Sequence, residues 1–403
     1  VTRANPEVSV RGVFLPLRHA EFRWLVGGQM LSTFGDMLLV VALPFVVLRH
    51  GDAADLTAML TALGIARMAG SPLGGWLADR WQPRTVMLCT DVARAAVLAA
   101  LAVMVAGERF ELLHFGIGVV LLGALDGVFL PAYWAVLPAL VQEDELAAGN
   151  AIGEGLLVFT VMVGTFVGGL ASAVLTPAAV LTIDAATFAL SACALLFLRS
   201  RPGVRTDEGN GGFWTFVRGS RLFLSITLIA GVLHLASAGT LNVALPVLAD
   251  ERSADGQRMF GVLLGAQGAG LLAGTLIAGL LWGFGRRGLA AVALLVVHGA
   301  VLIVFPQLPG PVAPMAAMFV LGAVAGVLSI LAVTILQQIS PPDVRGRVMA
   351  AFSAVTLGAY PLSAVLVGTV VVGAGAPAAF LVSGLGVLVT AAIGFGQRAL
   401  REA

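Results

Sequence analysis

The sequence predicts an all-α membrane protein of twelve spanning helices arranged as two six-helix bundles. Three observations predict it. First, 59% of the 403 residues are hydrophobic and only 11% are charged. An ordinary soluble domain carries roughly a quarter charged residues, so this chain could not cover its surface in water and must take lipid as its solvent. Second, apolar runs of about 20 residues, long enough to cross a bilayer, recur along the whole length. Third, the longest polar stretch, Arg199 to Arg221, divides those runs into six and six.

Taken in order, the first six spans are read at 23–49, 56–78, 85–106, 115–140, 150–175 and 179–199. The second six are read at 221–249, 259–284, 288–305, 314–339, 347–372 and 377–396. Breaks fall where charge, proline and glycine cluster. The 50 glycines suit this setting, because small residues let helix backbones approach where lipid supplies no hydrophobic drive between them. The polar stretch, with Asp207, Glu208, Gly209, Gly211 and Gly212, reads as a linker. The expected domains are therefore an N-terminal bundle at 1–204 and a C-terminal bundle, with the linker, at 205–403. No cleavable signal peptide is expected, since the first apolar run far exceeds an h-region and no small-residue cleavage site follows it.

All 23 basic residues are arginine. With the N-terminus inside, seventeen of them fall on one side and only Arg49, Arg109, Arg252 and Arg258 on the other. The positive-inside rule then puts both termini on the cytoplasmic side of the cell (inner) membrane, which requires an even number of spans. A net charge of +1 argues against a nucleic-acid partner, whose phosphates need a basic field. Cys89 and Cys193 lie in separate apolar runs, and the five histidines are scattered, so neither a disulfide framework nor a metal site is expected. No phosphate-binding loop or clustered nucleophile and base is present, which excludes a primary pump and argues against an enzyme. The chain is expected to work as a monomer in the lipid bilayer, without a cofactor.

The halves echo each other in the same direction. Leu137 to Asp144 follows the fourth span as Leu336 to Asp343 follows the tenth, and each leads into a Gly/Ala-rich run. Parallel repeats imply two halves related by an axis along the membrane normal, with a binding cavity between them.

The turn after the second span reads Gly74-Gly75-Trp76-Leu77-Ala78-Asp79-Arg80-Trp81-Gln82-Pro83-Arg84. Gly75, Asp79, Arg80 and Arg84 match the loop Gly-x-x-x-Asp-Arg-x-Gly-Arg-Arg, so the chain resembles the major facilitator superfamily; Gln82 and Pro83 depart from the pattern. In that family the loop latches the two halves in one access state, and the resemblance implies this gating role for the four matching residues. The second-half counterpart, Gly279 to Gly288, keeps Arg286 and Arg287 but has Gly283 where the Asp would fall. In the fifth span, Gly164-Thr165-Phe166-Val167-Gly168-Gly169 resembles the antiporter motif Gly-Pro-x-x-Gly-Gly, with Thr165 in place of proline. Phe22 to Leu25 with Gly35-Asp36, Asp184 to Phe188, and Pro342 to Val348 resemble the branch of siderophore exporters and macrolide efflux pumps. The resemblance implies export of a small amphipathic molecule (a drug, siderophore or secondary metabolite) by proton antiport through alternating access. If the internal charges are structural, a proton-independent facilitator or an importer of a small nutrient is the alternative, and a non-transporting membrane sensor or an intramembrane enzyme a remote one.

A charge at a helix centre costs about 2.5–3.5 kcal/mol on insertion scales. Such residues pair, face water or do work. Asp36 lies midway along the first span, with Gln29, Ser32 and Thr33 on its face at helical spacing, as a cavity wall requires. Arg67 lies at similar depth in the second span, and the two are expected to approach. Asp126, midway along the fourth, reads as a lone carboxylate able to take up and release a proton. Arg94, one turn after Asp91, pairs with it locally or reaches across to Asp126. His234 in the seventh span has the chemistry of a proton relay. For each of these the plain alternative is a structural ion pair or hydrogen bond, and Glu154 and Asp184, nearer helix ends, read as structural. Gln29, Thr33, Phe129, Tyr133, Trp134, Gln267, Gln337, Gln338 and Tyr360 are grouped as candidates for the substrate cavity.

Overall fold

A computed structural model of the chain describes residues 15–107, 110–142, 145–171, 174–199, 211–253, 255–281, 287–341 and 344–397. We number its spanning helices α1 (Ala20–Leu48), α2 (Ala53–Arg80), α3 (Pro83–Ala106), α4 (Leu112–Val136), α5 (Leu146–Ala171) and α6 (Pro177–Leu196). The second half continues with α7 (Arg221–Arg252), α8 (Gly256–Leu281), α9 (Arg287–Val304), α10 (Val312–Ile339), α11 (Arg345–Ala374) and α12 (Ala376–Gly396). Eleven of these are long and apolar enough to cross a membrane, and α5 holds a shorter apolar stretch, Gly155–Ala171. Their ends agree with the expected spans to within about one turn.

Local chemistry sets several of those ends. Pro83 and Pro177 open α3 and α6, where a missing N–H costs nothing. The Thr176 hydroxyl accepts from the Ala179 N–H at 3.2 Å, and Ser220 caps α7 through the Phe223 N–H at 3.2 Å. Between α11 and α12 the chain turns on Gly375, whose φ of +84° only glycine adopts without strain. Within the polar linker Gly211–Gly219 is a short helix, in which Phe213 meets Trp214 edge-on and Phe216 packs against Phe223 of α7. Residues 200–210 of the linker lie outside the described residues.

The helix pairings repeat. In the first half α1 packs on α5 through Met37 and Gly164, α2 on α4, and α3 on α6. In the second half α7 packs on α11, α8 on α10, and α9 on α12. Each second-half pair is its first-half counterpart six helices on, as two parallel repeats require. A close backbone approach repeats as well. A Cβ on Gly127 of α4 would overlap the Arg67 carbonyl of α2, and one on Gly322 of α10 would overlap the Gln267 carbonyl of α8. Only glycine allows these backbones to meet.

By internal contacts the chain divides into two compact units. The first comprises Val1–Leu39, Ile65–Gly164 and Thr176–Thr206; its core is Phe22, Leu25, Met87, Phe129, Tyr133, Leu137 and their neighbours. The second comprises Val40–Gly64, Thr165–Leu175 and Asp207–Ala403. Within this second unit Gly64 lies on Pro361, Thr57 lies under Gly368, Gly169 lies on the Gly261 carbonyl, and Arg49 donates to the Gln257 side chain at 3.3 Å.

Helix α7 carries one irregularity. The Ser363 hydroxyl of α11 accepts from the Gly239 N–H at 2.6 Å and donates to the Leu235 carbonyl, so it is inserted into the i→i−4 ladder of α7. One residue later the helix widens into a π turn, Thr240–Ala244. Pro246, which has no N–H and would crowd the carbonyl four residues back, follows immediately. The widened turn relieves that crowding.

Candidate functional site

The first unit holds a polar network between its helices. Arg67 of α2 reaches Asp126 of α4, Nε to Oδ2, at 2.6 Å. From α3, Arg94 meets the other oxygen of the same carboxylate, Nη2 to Oδ1, at 3.3 Å, and donates to the Leu125 carbonyl at 3.2 Å. Its second Nη lies 3.8 Å from Asp91 Oδ1, one turn earlier on α3. Asp91 Oδ2 accepts from the Ser191 hydroxyl of α6 at 2.7 Å.

Burial grades this network. Asp91 and Arg94 are 0% and 3% exposed, whereas Arg67 and Asp126 are 45% and 31% exposed. The Arg94 guanidinium lies over Phe129 at 4.7 Å and Phe188 at 5.0 Å, so aromatic faces take the side of its charge that no carboxylate meets. One end is dry and fixed; the other is open.

Arg67 lies within electrostatic reach of Asp36, and its ion pair is with Asp126, because Gly70 and Gly127 bring α2 and α4 into backbone contact at that level. One expectation is corrected here. Asp126 is not a lone carboxylate: it is shared by two arginines. Of the two routes open to Arg94, it takes both.

Asp36 is half-buried on α1 and has no ion-pair or hydrogen-bond partner among the described residues. On the same helix the Gln29 amide donates to the Thr33 hydroxyl at 3.1 Å. Phe129 and Tyr133 are packed in the interior of the first unit, with Trp134 edge-on to Tyr133 at 5.1 Å. In the second unit Gln267 and Tyr360 are half-buried and Gln337 and Gln338 exposed. His234 is exposed, its Nδ1 3.0 Å from the Ala230 carbonyl.

In the candidate gating loop, Arg84 donates through Nε and Nη2 to the Leu195 and Leu196 carbonyls, both at 2.9 Å, closing the end of α6. Arg80 is exposed, its guanidinium 5.7 Å from the Trp76 ring centre. Gly75 faces open space. The Asp79 side chain and the second-half counterpart with Arg286 lie outside the described residues, as does the Glu154 side chain. In the antiporter-like motif Gly164 packs on Met37, Gly168 is buried, and Gly169 lies on Gly261.

Sequence reasoning passed over three groups. Ser191 completes the Asp91 site from a helix 100 residues away. Asp184, read as structural, is fully buried with one oxygen unpartnered. His298 of α9 is 4% exposed and meets the Ser237 hydroxyl at 3.2 Å. A signal existed for two of them: Asp184 is a carboxylate within an apolar run, and Thr187 and Ser191 follow it on the same face of α6 at helical spacing. Among the described residues no group of three His, Cys, Asp or Glu could hold a metal ion.

Helix pairings that repeat between the halves, with a network of ion pairs among the helices of the first unit, define a polytopic membrane protein. The chain belongs to the Major Facilitator Superfamily, whose family model matches residues 25–356. It is 24% identical over 388 residues to the multidrug efflux pump Tap of Mycobacterium tuberculosis, covering 93% of this chain and 92% of that one. To the enterobactin exporter EntS of Escherichia coli O1:K1 it is 27% identical over 363 residues, covering 87% and 85%. In fold it is similar to an inward-facing bacterial homologue of the human lysosomal transporter Spinster, with a TM-score of 0.69 and 14% identity over 96% of this chain and 98% of that one. The nucleoside transporter NupG superposes with a TM-score of 0.64 at 17% identity over 95% and 98%.

Proposed function

We propose that the chain exports a small amphipathic molecule, a drug, siderophore or secondary metabolite, by proton antiport, with both termini cytoplasmic in the cell membrane. The observation that carries this reading is Asp126, an intramembrane carboxylate held by two arginines and still 31% exposed. A proton arriving on Asp126 cancels the charge that holds Arg67 and Arg94. Two guanidiniums on two helices then lose a common anchor, which couples a protonation step to a helix rearrangement. Asp36, half-buried and without an ion-pair or hydrogen-bond partner among the described residues, is the second carboxylate of the scheme.

The energetics allow this. One proton crossing a potential of roughly 100 mV supplies about 2.3 kcal/mol. At about 1.4 kcal/mol per tenfold, an electrogenic one-for-one exchange sustains a gradient of roughly fiftyfold. The efflux pump and the siderophore exporter among the relatives support the direction and the class of substrate.

The test is transport into proteoliposomes under an imposed pH gradient, against a panel of amphipathic drugs and siderophores, with wild type, Asp36→Asn and Asp126→Asn. Substrate-dependent proton flux in the wild type, lost in Asp126→Asn with substrate binding kept, is the expected result. Transport that ignores the pH gradient in all three proteins would instead make the chain a facilitator.

A further inference from the structure

We propose that Asp184 of α6, facing Asp36 of α1, is a proton-binding site separate from the arginine-held Asp126. Four carboxylates (Asp36, Asp91, Asp126 and Asp184) stand in one network with only two guanidiniums, Arg67 and Arg94. Both arginines are taken: Arg67 by Asp126, Arg94 by Asp126 and Asp91. Among the described residues Asp36 and Asp184 are left without a paired counter-charge.

Asp184 is the more constrained of the two. It is 0% exposed, and its Oδ2 has no hydrogen-bond partner. Its Oδ1 is 3.3 Å from the Thr187 hydroxyl, which donates its proton to the Asp184 carbonyl at 2.7 Å. The carboxyl lies directly against the backbone of α1 at Gly35, where a Cβ would overlap Oδ1. Gly35 immediately precedes Asp36, so the two acids occupy one α1–α6 seam. An ionised carboxylate with no paired cation is strongly disfavoured in such a place. The neutral acid is the form that the seam accepts, with Oδ2 as the oxygen free to carry the proton.

The site can also release that proton. The charged groups within reach of Asp184 from the helices packed on α6 are Asp36 on α1 and Arg94 on α3. Arg94 also acts on Asp126 and Asp91. When protonation of Asp126 removes one of the two carboxylates that Arg94 serves, the guanidinium, without moving, favours an ionised Asp184 more strongly. Proton uptake at Asp126 and release at Asp184 thus share one arginine. This coupling role rests on the antiport reading above; occupancy of the site does not.

The experiment is infrared difference spectroscopy of the purified full chain in lipid nanodiscs, following the carbonyl stretch of protonated carboxyl groups against pH. At neutral pH the wild type is expected to show this band, to lose it reversibly at alkaline pH, and to keep it in Asp126→Asn. Asp184→Asn is expected to remove a component, and Asp184→Glu to restore one at a shifted frequency, which separates loss of the acid from loss of the fold. No protonated-carboxyl band at neutral pH would overturn the proposal, as would a band indifferent to Asp184→Asn in folded protein. A band that never responds to pH would make Asp184 a fixed structural acid, and one that appears only when sodium is withdrawn would give the site to that cation. Proton-independent transport with the band present would sink the antiport reading alone.

Discussion

The Arg67 guanidinium and the Asp126 carboxylate meet at 2.6 Å between α2 and α4, and Arg94 closes on the same carboxylate from α3 at 3.3 Å. The two arginines are unequal partners because one is half-exposed and the other dry. Removing Arg94 strands Asp91, which is 0% exposed, with only a serine hydroxyl. Arg94→Met is therefore expected to cost about 3–5 kcal/mol, the range for breaking a buried pair. Arg67→Met breaks a contact that is 45% and 31% exposed at its two ends, and it is expected to cost less than Arg94→Met because it strands no fully buried carboxylate. Thermal unfolding in detergent compares the two; equal losses would contradict the burial gradient.

Helix contact at the same level rests on Gly127, where a side chain would strike the Arg67 carbonyl. Backbone cannot swing aside as a flexible side chain can. Gly127→Ala is expected to cost about 1–3 kcal/mol by overpacking, and to weaken the Arg67–Asp126 pair as α2 and α4 separate. Gly75→Ala meets open space and should stay within about 0.5 kcal/mol of wild type. Size-exclusion profiles after a heating series would rank them, and a tolerant Gly127 would refute the close approach.

Much of this fold was legible because lipid imposes a simple code. Apolar length alone located eleven helices long enough to cross a membrane and the shorter apolar helix α5, whereas the compact units cut across the linker boundary, since Val40–Gly64 and Thr165–Leu175 group with Asp207–Ala403. What hydropathy could not give was lateral pairing. Asp36 and Arg67 sit at matching depths on neighbouring spans, yet depth carries no information about which face meets which. The decisive facts, Gly70 and Gly127 in contact across 57 residues and Ser191 reaching Asp91 across 100, are long-range. One long-range signal was present and was missed: Val-Ala-Leu-Pro occurs at Val41 to Pro44 in α1 and again at Val243 to Pro246 in α7. This repeat marks the two helices as counterparts more sharply than the loop segments used to argue the duplication. The π turn was not legible, since it depends on Ser363 arriving from α11.

Ser363 is 0% exposed and bridges a donor and an acceptor four residues apart on α7. Ser363→Ala leaves the Gly239 N–H without the oxygen that now accepts from it. The expected loss is about 1–3 kcal/mol unless the ladder recloses. Reclosure would appear as slower hydrogen exchange at Gly239 and loss of the π turn. Faster exchange there is the expected outcome, and unchanged exchange would mean that the hydroxyl is not part of the ladder.

A charge exchange between Arg67 and Asp126 separates an isolated pair from a shared carboxylate. Were the pair isolated, Arg67→Asp with Asp126→Arg would restore the attraction lost in either single variant. Here the exchange places a guanidinium on α4 within reach of Arg94, which is 3% exposed and fixed over Phe129 and Phe188. Two like charges in contact at a dry site repel more strongly than at a surface, because solvent screening is weak there. The double variant is therefore expected to be less stable than Arg67→Asp alone. Neutralising both positions, Arg67→Gln with Asp126→Asn, leaves Arg94 balanced by Asp91 and should fold better than the exchange. A stable, active exchange variant would show that Arg94 does not share the Asp126 carboxylate, and would return the site to a simple ion pair.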